Sequence, residues 1–573
     1  MIGHRSPISG VDVSAHGLTA TAGYDNAIIL WDDLGRPVAR GNHDHLVNQC
    51  RFNPAGDRLV TASSDYSARI WEIPGLRLVS VLRGHDDDVE MASFSPDGTR
   101  VATASRDHRI GVFDVGGPGA DPNGCKMTLS LRGHKSDVLS VEWSEDGATL
   151  FSSSDDGTVR RWCARNGTLL ATIDLGTVEA DTVVRGEGDT LYAGTDGGEI
   201  AIIRGSVVER IAAHASGVKR VIADRVSRRL ITASYDRWVK LWRIDADGGL
   251  SLAAETQAPA SVWLRSIAAR ADGRLVFGTF GTGYAVFDPA IGDWDLSRVQ
   301  DTSGINAVRH HAGAVWTIGD AGVLRRDGVV VQRIGSLCNF LMPFGTMLLT
   351  GGHLGIVFDA LTGTELHRHH SPLNCATVFV RDGVDHVAIG SYTGEALIFR
   401  QGARGRLDMA ATIDVHANAI KGLASNGTEL FSVCATGDAA RVPIKALGPV
   451  SIIAAAHSRI CNGAAALNDG GFVSVGRDLQ LRFWYPDRAW AVATPHRHSV
   501  KCVAACDASG RVATGTYDGE VGIYDSTTMT WTVARPTTAG ISSIATCGEA
   551  GVFIAASYDG QTYRIDHPAQ PAG

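Results

Sequence analysis

Short runs of alternating apolar and polar residues recur along the whole chain, each closed by a turn. TAGYDNAIILWD (21–32), TASSDYSARIWE (61–72), TASRDHRIGVFD (103–114), SSSDDGTVRRWC (152–163) and TASYDRWVKLWR (232–243) share one layout. An aspartate is followed six residues later by Trp or Phe, and an apolar-alternating stretch precedes it. A period of two predicts half-buried strands. Turns such as SPDG (95–98) and SEDG (144–147) separate those strands. SVGRDLQLRFWY (474–485), TGTYDGEVGIYD (514–525) and AASYDGQTYRID (555–566) repeat the pattern clearly in the second half. Degenerate copies at 194–203, 278–288, 319–328, 351–359, 390–399 and 434–444 bring the units to fourteen.

Gly-His pairs open several units, at Gly3-His4, Gly84-His85 and Gly133-His134. With the Asp-to-Trp spacing, the chain resembles the WD-repeat family. That resemblance implies an all-β fold in which each unit is one four-stranded blade of a β-propeller. Fourteen units then read as two seven-bladed WD-repeat β-propellers in tandem, residues 1–295 and 296–573. In layout they resemble the actin-interacting WD-repeat proteins, without a motif that carries that specificity over. The family's tetrad of opening His, strand Ser/Thr, turn Asp and strand Trp is expected in three sets. These are His43, Ser63, Asp65 and Trp71; His134, Ser154, Asp156 and Trp162; and His214, Ser234, Asp236 and Trp242. Such a repeated polar network pins a blade from within and is not a set of active sites. Outer-strand segments number one fewer than the units, so one blade is expected to lack a strand. DWDLSRV (293–299) completes either the seventh blade or the last, and the tail after Asp566 is not expected to be a strand.

At 573 residues the chain exceeds one ordinary domain, and its 67 glycines suit many tight turns. The net charge of -8 argues against a nucleic-acid partner. No apolar run is long enough to span a bilayer and no signal region opens the chain, so the expectation is a cytoplasmic protein without a membrane partner. Only seven of the 53 basic residues are lysine, which suggests a high-GC, bacterial genome. Ten scattered cysteines without a CxxC pair read as reduced thiols.

No cofactor, metal or catalytic motif is expected. GxxxxGK[ST], HExxH and GxSxG are absent. HRHSVKCVAAC (496–506) carries possible zinc ligands, but on a strand Cys502 and Cys506 lie about 13 Å apart at 3.3 Å per residue. His496 instead aligns with the blade-opening histidines. His367, His369 and His370 read as a solvated turn at a blade junction. DADGG (245–249) has calcium-like spacing without a closing Glu and reads as a hairpin turn.

Two positions per unit reach one propeller face in this family. The first precedes the turn aspartate and holds Tyr24, Ser64, Arg106, Asp155, Thr195, Tyr235 and Phe280 in the first half, and Gly319, Gly351, Tyr392, Gly437, Arg477, Tyr517 and Tyr558 in the second. Tyr and Arg are common in binding hot spots, although Tyr also suits a tight turn. The second follows the first apolar residue of each inner strand. It holds Asn306, Asn339, Asn374, Lys421, Cys461 or Asn462, Lys501 and Ser542 in the second half. In the first half it holds Ser9, Asn48, Glu90, Leu139, Lys219 and Arg265, with one unit unaligned. Strand alternation places these residues at the channel entrance. The second half is expected to present amide donors and two ammonium groups, suited to an acidic peptide or a carboxylate.

The sequence therefore reads as a non-catalytic scaffold that binds one or more proteins or peptides on the propeller faces. The alternative is a sensory or regulatory subunit of a larger bacterial complex. An enzyme with a channel-mouth site would need a His or carboxylate constellation outside the tetrads, and none converges in the sequence.

Overall fold

The apolar stripe of a single strand hairpin cannot be covered by that hairpin alone. It is covered only when units stack face to face, and that requirement shapes the architecture. A computed structural model describes residues 3–116, 126–176, 179–225, 227–402, 406–506 and 508–566. The tail after Asp566 lies outside the described residues.

Thirteen four-stranded antiparallel sheets and one three-stranded sheet follow one another, each built from strands consecutive in the chain. The three-stranded sheet is the last: Ile541–Thr546, Val552–Ser557 and Thr562–Asp566. Asp293–Asp295 pairs with Ala285–Asp288, so DWDLSRV completes the seventh blade. The chain divides into Met1–Thr302 and Ser303–Gly573. The split falls later than 295/296 because Leu296 and Val299 pack on the core of the seventh blade beside Phe277 and Phe287. Gly281 also bridges to Asp301.

Inner strands contact their neighbours in series around each unit, and the first of each unit contacts the last. The core lies between blades. Val60, Ala62 and Ile70 of blade two meet Val89, Phe94 and Phe113 of blade three. Each such buried side chain contributes about 1.5–3 kcal/mol. Both rings close through side chains rather than an exchanged strand. In the first unit Ile8, Val11 and Trp31 meet Ala268, Val276 and Tyr284, and the Val11 amide donates to Ser266 Oγ at 2.9 Å. In the second, Ile305 and Val308 meet Ala545 and Ile554.

The polar tetrads lie inside this packing. His43 Nδ1 meets Asp65 at 2.8 Å, its Nε2 meets Thr61 Oγ1 at 2.7 Å, and the Trp71 indole donates to the same hydroxyl at 2.9 Å. Burial lowers the pKa of His43. Burial alone would raise Asp65, but its bond and charge interaction with His43 outweigh that and hold it well below the usual carboxylate range. His134, Ser152, Asp156 and Trp162 form the same set, as do His214, Thr232, Asp236 and Trp242. The expected hydroxyls Ser63, Ser154 and Ser234 are therefore corrected to Thr61, Ser152 and Thr232. A residue two further along the strand shares the face but lies about 6.6 Å away, beyond the reach of the imidazole and indole. Ser63, Ser154 and Ser234 instead accept from the amides of Asp65, Asp156 and Asp236, bracing the hairpin turn. Complete sets also occur at His4, Thr21, Asp25 and Trp31, and at His457, Ser474, Asp478 and Trp484. His496 pairs with Thr514 and Glu520. DADGG is the turn between Trp238–Ile244 and Leu250–Gln257, with the Gly248 amide donating to the Asp245 carbonyl.

Candidate functional site at the channel mouths

One backbone irregularity recurs at the start of the inner strands in both units. In every blade but the seventh, the pairing register slips at the start of the inner strand. Val500 faces Thr516 and Cys502 faces Gly515, so Lys501 has no cross-strand partner. Ile420 and Gly422 skip Lys421 in the same way, Val218 and Arg220 skip Lys219, and Leu373 and Cys375 skip Asn374. These are β-bulges, in which one extra residue leaves the ladder and its side chain is re-aimed. The channel-facing position is thus set by the bulge, and the alternation argument is corrected. In the seventh blade the slip runs from Trp263 to Ile267, and Arg265 lies within it. The unit left unaligned by sequence is Ala180–Arg185, and its bulge residue is Asp181.

The asparagines do not form the expected ring of outward amide donors. Asn306 donates to the Cys338 carbonyl at 3.2 Å, Asn339 to Leu373 at 2.8 Å, Asn374 to Ile420 at 2.8 Å and Asn462 to Val500 at 2.7 Å. Each acceptor opens the next inner strand, so these amides staple blade to blade. In the first unit Asn48 does the same to Val89 at 2.9 Å.

Three bulges of the second unit lack such a staple, those of Lys421, Lys501 and Ser542, and the Ser542 hydroxyl donates to the Ala556 carbonyl of its own blade. Lys421 and Lys501 line a cavity of about 450 Å³ running along the inner strands of the second unit, together with Asn306, Asn374 and Tyr558. Lys421 Nζ lies 4.5 Å from the centre of the Tyr392 ring, and Lys501 Nζ lies 5.7 Å from that of Tyr517. The Arg477 guanidinium lies 6.0 Å from the centre of the same Tyr517 ring. Ammonium over an aromatic face is an attractive pairing. The phenol oxygens of Tyr517, Tyr558 and Tyr392 push the Lys501 pKa up, against burial. Burial in turn pushes Tyr558 up. Among the described residues no carboxylate lies within ion-pair distance of Lys501. Asp320 follows Gly319, one of the turn positions, and sequence reasoning missed it. It accepts from Asn306 at 2.9 Å, and its Oδ2 is buried without a partner. Burial pushes that carboxyl up to about 7.

The first unit resolves the same positions differently. Arg265 reaches Tyr24 Oη at 2.9 Å and Glu90 at 2.8 Å. Arg106 meets the other oxygen of Glu90 at 2.5 Å and pairs with Asp137. Lys219 pairs with Asp181 at 2.8 Å and with Asp196, and its Nζ lies 4.8 Å from the centre of the Tyr235 ring. The cations expected to bind a partner there are held in internal ion pairs. The surrounding carboxylates also raise one another: burial and then Glu179, Asp137 and Asp181 push Asp155 well above its ordinary range. Sequence reasoning missed this acidic mouth. Glu90 in the strand register and Asp155 before its turn aspartate were signals for it, while Asp181 lay in the unit left unaligned.

Among the described residues no helix is long and apolar enough to cross a membrane. The WD40 family model (WD domain, G-beta repeat) matches residues 1–32, 35–72, 76–114, 125–163 and 205–243. All five matches lie in the first unit.

Proposed function

We propose, from the premise that this is a WD40-repeat chain folded as two seven-bladed β-propellers, that its second propeller captures an acidic segment or a free carboxylate of a partner protein. WD40 repeats generally serve protein interaction without catalysis, and the chain acts in that way as a scaffold. The observation that carries the reading is Lys501, a cation on a cavity wall with no carboxylate in ion-pair reach. An anion entering there meets Lys501 and Lys421, backed by Tyr392, Tyr517 and Tyr558. The same cavity is lined by Arg309, Thr377, Ser425 and Thr546 beside Leu423, Gly463, Ala464 and Val503. A peptide terminus or an extended acidic side chain suits a polar, cationic cavity of this kind. The scaffold operates in the cytoplasm on protein or peptide partners.

The test is copurification of tagged wild type beside the Lys421→Ala/Lys501→Ala variant, followed by titration of the recovered partner's acidic peptide. Binding should fall at least tenfold in the variant and weaken with added salt. Equal binding by both proteins rejects the cationic mouth as the site.

A further inference from the structure

The blade junction around His369 departs from its neighbours in a way that assembles metal ligands. His369 sits four residues before Leu373, where other blades place the tetrad histidine, as His496 does before Val500. In the His496 blade, Nε2 meets the Thr514 hydroxyl at 2.8 Å and Nδ1 meets Glu520 at 3.2 Å. The pairing register puts Ile389 where Thr514 stands and Glu395 where Glu520 stands. Ile389 offers no hydrogen-bond partner, and the imidazole is turned round. Its Nε2 now faces Glu395 Oε2 at 3.1 Å, while Nδ1 lies 3.2 Å from the Ser371 carbonyl. His370 adds a second imidazole, its Nε2 3.9 Å from the same carboxylate oxygen, with the two rings 4.1 Å apart.

We propose that His369, His370 and Glu395 form an open binding site for a divalent transition-metal ion such as Zn²⁺. The three donor atoms lie within 4.8 Å of one another. Ligands at about 2.1 Å in a tetrahedron are separated by about 3.4 Å, and the two nitrogen–oxygen distances bracket that spacing. Two imidazoles and one carboxylate are the donor set of open zinc sites, with water taking the remaining position. The surroundings orient the ligands. Thr393 donates to Glu395 Oε2 at 2.5 Å and fixes the carboxylate. Nδ1 lies 3.2 Å from both the Ser371 amide, which donates to it, and the Ser371 carbonyl; with an ion on Nε2 the ring proton sits on Nδ1 and donates to that carbonyl instead, the backing that ligating histidines usually have. His370 is half-exposed, which leaves a route for the ion from solvent. The site lies at a blade junction and is independent of the peptide reading.

The test uses the full chain, stripped with chelator and titrated with ZnCl₂ by calorimetry, with Co²⁺ absorption as a second readout. Wild type should take up one equivalent at this site. His370→Ala and Glu395→Gln should each weaken it roughly tenfold or more, and His367→Ala should not. His370 is on the surface, so its replacement should leave the melting curve in place and the comparison interpretable. No uptake by wild type, or uptake unchanged in His370→Ala, overturns the site. The second result would assign the ion to other groups, such as the thiols.

Discussion

At the scale of single residues, the chemistry of the tetrad was legible and its reach was not. His43, Asp65 and Trp71 follow from spacing. Thr61 and Ser63 do not separate in the sequence, because both are hydroxyls on one face of one strand. Only the position of the indole decides between them. Thr232→Val keeps the shape of the side chain but strands His214 Nε2 and Trp242 Nε1. It should destabilise the fold by about 2–3 kcal/mol in denaturant unfolding, while Ser234→Ala should cost about 1. Asp320 gives a second residue-level expectation. Its folded carboxyl titrates near 7 against an ordinary 3.8. The folded chain therefore keeps a proton that the unfolded chain releases, and stability falls as pH rises from about 4 to 7. Asp320→Asn retains the oxygen that accepts from Asn306 and removes the charge. It should gain about 1–3 kcal/mol at pH 8 and little below pH 4, measured by unfolding at both.

At the scale of elements, the blades were readable because a period of two and a recurring turn are local signals. The bulge was not. It is a relation between two strands, and a single strand's sequence shows only that one position tolerates Asn, Lys, Ser or Glu. That tolerance was visible as a register, so Lys421 and Lys501 were singled out by alternation, where the bulge is what sets their position. The asparagines illustrate the cost of that error. Read as a ring facing a ligand, they are in fact staples between inner strands. Asn374→Ala should cost about 1 kcal/mol by losing its bond to the Ile420 carbonyl, and should leave anion binding at the mouth unchanged. Loss of binding in a folded Asn374→Ala protein would return the amide to the recognition surface. The last blade makes a related point. Its missing strand followed from counting segments, because each blade draws its strands from consecutive chain. No strand exchange had to be guessed.

At the scale of the whole molecule, two propellers built on one repeat carry mouths of opposite character. Sequence showed the cations of both and could not show which were already paired, since Glu90 and Arg106, or Asp181 and Lys219, come together only through the ring. That difference separates structural charge from functional charge. Arg106 balances Glu90 and Asp137, so Arg106→Met takes the guanidinium from Asp137 and one of two from Glu90, which Arg265 still holds. It should destabilise the chain by about 3 kcal/mol, reduced somewhat by the partial exposure of the group. Among the described residues Lys501 balances no carboxylate within ion-pair distance, and its head group lies over the Tyr517 ring. Lys501→Met fills the same space with an apolar chain and should leave stability unchanged or slightly raised, while binding of an acidic peptide falls. A residue kept at no gain to the fold is expected where a ligand uses it. If Lys501→Met instead destabilises as strongly as Arg106→Met, its charge serves the propeller itself, and the cationic mouth loses its claim to a partner.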